Sequence, residues 1–365
     1  MKIKIKKENL ERLLSKVYPI LPGKSAMPAL TNVLLEAKDK ELSISATDLE
    51  TAITSIDKTE VKAEGSIALN GKDFYGMVRE LPNKDIEISV DNLSAKITCE
   101  KIKFNIQGMD KSDFPNLLSV KKQRKVTLPF EVLQKGVEKT LFAASTGEIS
   151  SIISGALFDL QQEEFRIIAT DGHRMAIYKN KIKLGNIMRF VISPKVWKEV
   201  ANFSSGVDIY FNENTVGLFS EDTVIVSRIM EGEFPPYEAV IPKHNDKTLT
   251  VLKEELNSAV KRALVVAPDI SHLLKFKLSN ESVTIEANSE RGEVKEEIPC
   301  KYKGDSIEIG YNGNYILSVI NKIGTESVKF LLKDPEAAAL IVPDIPKKEE
   351  KEEELVYLLM PIKLI

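Results

Sequence analysis

The chain of 365 residues is too long for one ordinary domain and calls for two or three. Its 51 Lys and Arg against 54 Asp and Glu leave a net charge of −3, which excludes a histone-like basic protein and an acidic disordered one, and 43% hydrophobic residues suffice for real cores. No apolar run approaches the roughly 18 residues of a membrane helix, and Cys99 and Cys300, far apart, suit a reducing cytoplasm without disulfides.

The opening Met1-Lys2-Ile3-Lys4-Ile5-Lys6 alternates charge and Ile, which predicts a strand and not a signal peptide. An internal repeat follows. Leu10, Leu133 and Leu256 are spaced 123 residues apart. The same offset joins Leu14, Val137 and Val260, then Tyr18, Leu141 and Leu264, then Leu21, Ala144 and Ala267. Positions i, i+4, i+8 and i+11 are one stripe of an amphipathic helix, so each copy opens with a helix. Glu8, Glu131 and Glu254 share a column at the helix starts, where a carboxylate favours the macrodipole. Pro129 opens the second copy, as proline does in a first turn.

Downstream, Thr47-Asp48 recurs as Thr170-Asp171 and Phe74 as Trp197. A second short helix is predicted in each copy, from Phe74, Met77, Val78 and Leu81, from Trp197, Val200 and Ala201, and from Tyr315, Ile316, Val319 and Ile320. Period-2 strands lie between, such as Ile86–Val90, Val207–Phe211 and Val283–Ala287. Asp113-Phe114-Pro115, Glu233-Phe234-Pro235 and Met360-Pro361 close the copies. The fold class is therefore α+β, three repeated domains at 1–122, 123–245 and 246–365, each with two helices on antiparallel sheet. Polar linkers fall at Val120–Lys125 and Pro242–Lys247, and Lys347–Glu354 reads as a solvated loop between two strands.

The polar helix faces repeat too. Lys16, Lys139 and Arg262 occupy one column, and Arg12, Lys135 and Ser258 the column one turn earlier. Arg12/Lys16 and Lys135/Lys139 are like-charge i, i+4 pairs, which cost an isolated helix a few tenths of a kcal/mol. Lys72 and Lys195 recur on the second helix, with Arg79 and Lys198 nearby. Such columns point to a polyanion held through its phosphates, without sequence preference. No base-reading motif is present and the single Trp sits at a helix-core position, so no stacking platform for single strands is expected.

Catalytic patterns are missing. Gly23-Lys24-Ser25 resembles the tail of a P-loop, but Tyr18 stands where its first glycine belongs. His173, His244 and His272 pair with no cysteine, so neither a metal site nor a cofactor is expected. Asp48 and Asp171 could serve a metal-dependent DNA-processing enzyme, with His173 as base. Their equivalent places in separate copies favour turn-forming roles instead, and no enzyme activity is expected.

At Ala169-Thr170-Asp171-Gly172-His173-Arg174-Met175-Ala176 the chain resembles the bacterial DNA polymerase III beta subunit family, the replicative sliding clamps. Ala46–Glu50, Asp113–Leu117, Glu231–Tyr237, Ile309–Asn312 and Met360–Leu364 extend the likeness over the full length. The resemblance implies a head-to-tail homodimeric ring with helices lining a hole around duplex DNA. It would slide as a processivity factor and catalyse nothing. Arg12, Lys16, Lys24, Lys72, Arg79, Lys135, Lys139, Lys198 and Arg262 would meet the DNA. A hydrophobic pocket would take short linear motifs of the replicative polymerase, clamp loader, repair polymerases, ligase and mismatch-repair proteins. Its residues would be Ile153, Thr170, Gly172, His173, Arg174, Met175, Pro235, Val240, Tyr315, Leu358, Met360, Pro361 and Ile362, with Gly172 allowing close backbone approach. Ring closure would set Lys101, Lys103, Phe104 and Ile106 against Glu296 and Glu297 of a second copy. The chain departs from the family in the loop Thr146–Ile152, at Ala239 in the pocket and in its extension to Ile365.

Overall fold

The computed structural model describes residues 1–121, 124–146, 151–185, 187–200, 203, 206–345 and 352–364. Lys122, Gln123, Ala201, the middle of the 146–152 loop, most of the 347–354 stretch and Ile365 lie outside the described residues. The chain divides into two compact units, Met1–Leu133 with Lys195–Ile229, and Gln134–Pro194 with Met230–Ile365.

The first helices start in register with the repeat: α1 is Lys7–Val17, α3 is Phe130–Thr140 and α5 is Lys253–Leu264. Each carries its column glutamate in the first turn. Half of the predicted stripe is buried on the helix: α1 buries Leu10 and Leu14, together with Leu13 and Val17, and α5 buries Leu256 and Val260, together with Ala259 and Ala263, while α1 ends before Tyr18 and Leu21, neither of which is buried. The second helices are α2 (Gly71–Glu80), α4 (Pro194–Val200) and α6 (Gly313–Ile320). They start three residues or so before the apolar pattern. Polar caps account for this in two of them, since the Asn70 side chain accepts from the amide of Asp73 and the Asn312 side chain from those of Asn314 and Tyr315.

In the first unit a five-stranded sheet runs in the order Glu60–Ala63, Lys2–Lys6, Asp85–Asp91, Ser94–Cys99, Ile102–Gln107. An eight-stranded sheet runs Arg124–Leu128, Val207–Phe211, Thr215–Phe219, Thr223–Arg228, Thr51–Lys58, Glu41–Thr47, Asn32–Lys38, Gly65–Asn70. In the second unit a nine-stranded sheet runs Met188–Ile192, Ala156–Leu160, Glu164–Thr170, Arg174–Lys181, Glu353–Leu359, Ala339–Pro343, Ser327–Leu332, Lys247–Leu252, Lys301–Lys303. A four-stranded sheet there runs Gly292–Pro299, Ser282–Ser289, Leu273–Leu278, Ile307–Asn312. All the neighbours pair antiparallel.

The largest sheets thus cross from one copy into the next. Strand Thr51–Lys58 pairs with Thr223–Arg228, Thr223 opposite Ser55 and Ser227 opposite Thr51. Strand Arg174–Lys181, 123 residues further on, pairs with Glu353–Leu359, Arg174 opposite Leu359 and Asn180 opposite Glu353. Two expectations need correction. Glu353 and Glu354 begin the last strand, where Glu354 meets Lys179 at 3.0 Å, so the acidic stretch is not loop to its end. Arg124 and Lys125, and likewise Lys247, open strands and are not linker. No described helix is long and apolar enough to cross a membrane.

Candidate functional site

The two Thr-Asp turns use one set of hydrogen bonds. The Asp48 carboxylate accepts from the amides of Glu50 and Thr51, and the Thr47 hydroxyl donates to the Thr51 carbonyl while accepting from the Leu49 amide. The Asp171 carboxylate accepts from the amides of His173 and Arg174, and the Thr170 hydroxyl donates to the Arg174 carbonyl while accepting from the Gly172 amide. Both carboxylates cap their own turns. That chemistry does not fit the enzyme alternative, and among the described residues no cluster of three His, Cys, Asp or Glu could hold a metal. Leu49 and Gly172, at matching positions, have φ of 73° and 88°. A Cβ on Gly172 would meet nothing within 4 Å. Its left-handed backbone, not a close approach, is therefore what favours glycine there.

The second turn carries the predicted pocket. Met175 and Leu358 face each other across the paired strands and are each 3% exposed. They join Leu157, Ile168, Ile177, Val191, Tyr237 and Ala338 in one apolar cluster. Above this floor the Met360 amide donates to the His173 carbonyl at 2.9 Å and the Ile362 amide to the Gly310 carbonyl at 2.8 Å. The tail Met360–Ile362 is thereby pinned beside the turn. Met360 and Val240 stay exposed, at 41% and 56%, Pro235 is also exposed, and Ile153, Thr170, Pro361 and Ile362 are half-buried.

Arg174 plays a different part from a surface contact. Its Nε donates to Asp171 at 3.0 Å, its Nη atoms donate to the Ser318 hydroxyl and the Phe142 carbonyl, and its guanidinium lies 4.6 Å from the Tyr315 ring centroid. It ties the turn to α6, and the His173 ring stacks on Tyr315 at 6.2 Å. Tyr237 was missed from sequence, although it directly follows the Pro-Pro pair. Its hydroxyl contacts buried Asp159 at 3.3 Å and Arg166 at 3.0 Å, which holds the turn Tyr237–Val240. Burial pushes the Tyr237 hydroxyl up to about 12, against the opposing pull of Arg166.

Most of the predicted cation columns are compensated. In the first unit Lys16 donates to Asp222 at 2.8 Å and is only 11% exposed, while Arg12 bridges Asp57 at 2.7 Å and Asp222 at 2.8 Å. In the second, Lys135 meets Glu353 at 2.6 Å, Lys139 meets Glu138 at 3.6 Å, and the Arg262 Nε donates to Glu296 at 2.8 Å. Lys24, Lys72, Arg79 and Lys198 are exposed and have no ion pair among the described residues. Apart from Glu138, the carboxylate partners lie far away in sequence, so the columns alone could not reveal them.

Strand Ile102–Gln107 and strand Gly292–Pro299 are both sheet edges. Phe104 and Ile106 are half-buried on the first, with Lys101 and Lys103 exposed. On the second, Glu297 is exposed and Glu296 is taken by Arg262. In that same unit Val265 is 70% and Ile270 98% exposed, on the turn after α5, which Ser289 and Arg291 tie to the edge hairpin. Neither apolar residue belongs to the helix stripe, so periodicity could not single them out.

Three domains, each with two helices on antiparallel sheet, define a DNA clamp fold. The chain matches the N-terminal, central and C-terminal domains of the DNA polymerase III beta subunit over residues 1–118, 127–236 and 238–363. It belongs to that family, the sliding clamps that act as processivity factors in DNA replication. It is 29% identical to the beta sliding clamp of Vibrio cholerae over 374 residues and 27% to that of Escherichia coli over 372, covering 100% of both chains in each case. Among solved structures, the sliding clamp of Pseudomonas aeruginosa bound to griselimycin superposes at TM-score 0.94 with 26% identity. The beta subunit of Thermotoga maritima does so at 0.92 with 27%, and both comparisons cover 100% of each chain.

Proposed function

We propose that the chain is a binding and scaffold protein, not an enzyme, whose head-to-tail homodimer encloses duplex DNA and tethers replication and repair proteins. The observation that carries this reading is the match of all three beta-subunit domains, in order, onto the threefold repeat. Domain boundaries at 1–122, 123–245 and 246–365 go with it. Each ring half-joint sets Lys101, Lys103, Phe104 and Ile106 of one copy against Glu297 and Glu296 of the other. Val265 and Ile270 extend the apolar part of that joint, since a nearly bare isoleucine beside an unpaired strand edge calls for a cover.

Free Lys24, Lys72, Arg79 and Lys198 supply the attraction for phosphates. Arg12, Lys16, Lys135, Lys139 and Arg262, already paired with carboxylates, contribute a weaker field. That suits a sliding ring, which is retained by topology and needs no tight grip. The floor of Met175 and Leu358, with Val240, Met360, Pro361 and Ile362 around it, takes a short apolar motif from a polymerase, the clamp loader, a ligase or a mismatch-repair protein. One solved clamp, from C. crescentus, has polyethylene glycol bound at a region described as tethering the beta motif, and it superposes at TM-score 0.92. The two free cysteines fit work in the reducing cytoplasm.

The test is retention. After loading, the protein stays on closed circular duplex and runs off when the circle is cut, and light scattering gives the mass of two chains. A single-chain mass, or equal retention on linear DNA, sinks the reading.

A further inference from the structure

We propose that the first copy alone carries a stacking site for a base of single-stranded nucleic acid, formed by Tyr18 and Tyr75. This goes beyond the duplex reading above and rests on it only in assigning the partner as nucleic acid. The two rings lie 5.0 Å apart between centroids, tilted by 47°, where the end of α1 meets α2. Tyr18 is 36% exposed although Leu10 and Leu14 of the same stripe are buried. The Arg79 guanidinium stands 5.8 Å from the Tyr75 centroid.

Lys72, Tyr75 and Arg79 fall at i, i+3 and i+7 on α2, with their centre roughly 95–135° around from buried Val78 and Phe74 at 3.6 residues per turn. Gly76 lies on the same stripe, and a Cβ there would meet nothing within 4 Å, so the surface beside the rings is open. The helix's own carboxylates, Asp73 and Glu80, sit about 105–130° around from the centre of the Lys72, Tyr75 and Arg79 stripe at 3.6 residues per turn. Lys72 and Arg79 have no ion pair among the described residues, unlike Arg12 and Lys16 on the neighbouring helix. Partly exposed rings flanked by uncompensated cations suit an unstacked base with its neighbouring phosphates. A duplex, whose bases are already stacked, could use only the cations.

The repeat shows that the pair is not a requirement of the fold. At the 123-residue offset Tyr18 becomes Leu141 and Leu264, and Tyr75 becomes Lys198. Residues 18 and 75 are far apart in the chain, and the two tyrosines meet only in the folded unit.

The experiment is fluorescence anisotropy of the full-length protein with a labelled oligo-dT and, separately, a labelled duplex of equal length. The Tyr18→Ala/Tyr75→Ala variant is expected to lose about tenfold in oligo-dT affinity, in the range of one lost base stack, with duplex affinity unchanged. The Tyr18→Phe/Tyr75→Phe variant is expected to keep both. Should the alanine pair melt early, Tyr18→Ala alone, at the more open ring, serves with the same criterion. Unchanged oligo-dT affinity, equal loss for both ligands, or no oligo-dT binding by the unaltered protein overturns the site. Retention of the same preparations on circular duplex judges the clamp reading separately, so the two failures cannot be confused.

Discussion

The first unit and the second each join consecutive copies through one strand pair, and the two seams are built at matching positions from different materials. In the first unit, Thr51, Ser55, Thr223 and Ser227 are buried along the seam, and Thr51 and Ser227 exchange a hydrogen bond at 3.3 Å. The ion cluster of Arg12, Lys16, Asp57 and Asp222 seals its end. In the second unit the seam buries Met175, Ile177, Leu358 and Leu359. Thr51 corresponds to Arg174 and Ala52 to Met175. In the polar seam Thr51 and Ser227 bond to each other, and all four polar side chains are buried. The apolar seam has exposed hydrophobic residues at one end, Val240 and Met360, where the proposed peptide pocket lies. Duplication thus supplied two equivalent joints, and substitution at a handful of positions made one of them apolar.

The largest expected effect lies at the apolar seam. Leu358→Ala should lower stability by about 2–4 kcal/mol, as for other buried leucines, and abolish binding of an apolar peptide motif. Urea unfolding and peptide anisotropy read the two effects, and intact binding would remove Leu358 from the floor. Next comes Arg174→Ala, expected to cost about 2–3 kcal/mol because it strips Asp171 and the Phe142 carbonyl of their donor and uncovers Tyr315. The matching change in the polar seam, Thr51→Ala, should cost only about 1 kcal/mol. Equal costs would mean that the two seams are energetically alike.

An effect smaller than that of Arg174→Ala, of about 1–2 kcal/mol, is expected for Asp222→Asn in the polar seam, where a half-buried carboxylate binds two cations. Burial alone would raise the pKa of Asp222, but the bonds from Lys16 and Thr223 and the charges of Lys16 and Arg12 overcome it and leave it lowered. A carboxylate with a lowered folded pKa stabilises above its unfolded pKa of about 3.9 and loses that contribution as pH falls through the folded value. The gap between parent and variant in urea midpoint should therefore be full at neutral pH and shrink below about pH 4. A gap constant across that range would show that Asp222 acts through shape and not charge.

Helix starts, their buried stripes and the Thr-Asp turns were legible in the sequence because each is set within a few residues, and the 123-residue offset tested each against two more copies. The pocket turn was legible for the same reason. What escaped were relations between distant segments. Nothing local tells Lys16 that Asp222 will sit beside it, so the cation columns read as free charge. The division of the middle copy between two sheets escaped as well, since strand periodicity says which face is buried and not which neighbour pairs. Ile270 escaped because exposure is a property of the folded surface.

The smallest effect tests the comparison at one backbone angle. Leu49 holds φ at 73° where the second turn has Gly172 at 88°, and a leucine side chain is strained in that left-handed region. Leu49 is also 40% exposed, so little packing is lost on removing it. Leu49→Gly should therefore relieve strain of roughly 1 kcal/mol or more, partly offset by the greater freedom glycine gives the unfolded chain. The net gain expected is about 0.5 kcal/mol, read as a higher urea midpoint. In the converse change, Gly172→Leu, the added Cβ meets nothing within 4 Å, but the same strain is carried into that turn. It should lower stability by about 1 kcal/mol and weaken peptide binding. If Leu49→Gly destabilises instead, the first turn needs its leucine for a contact that the second turn has given up, and the two turns are not equivalent in the way their hydrogen bonds indicate.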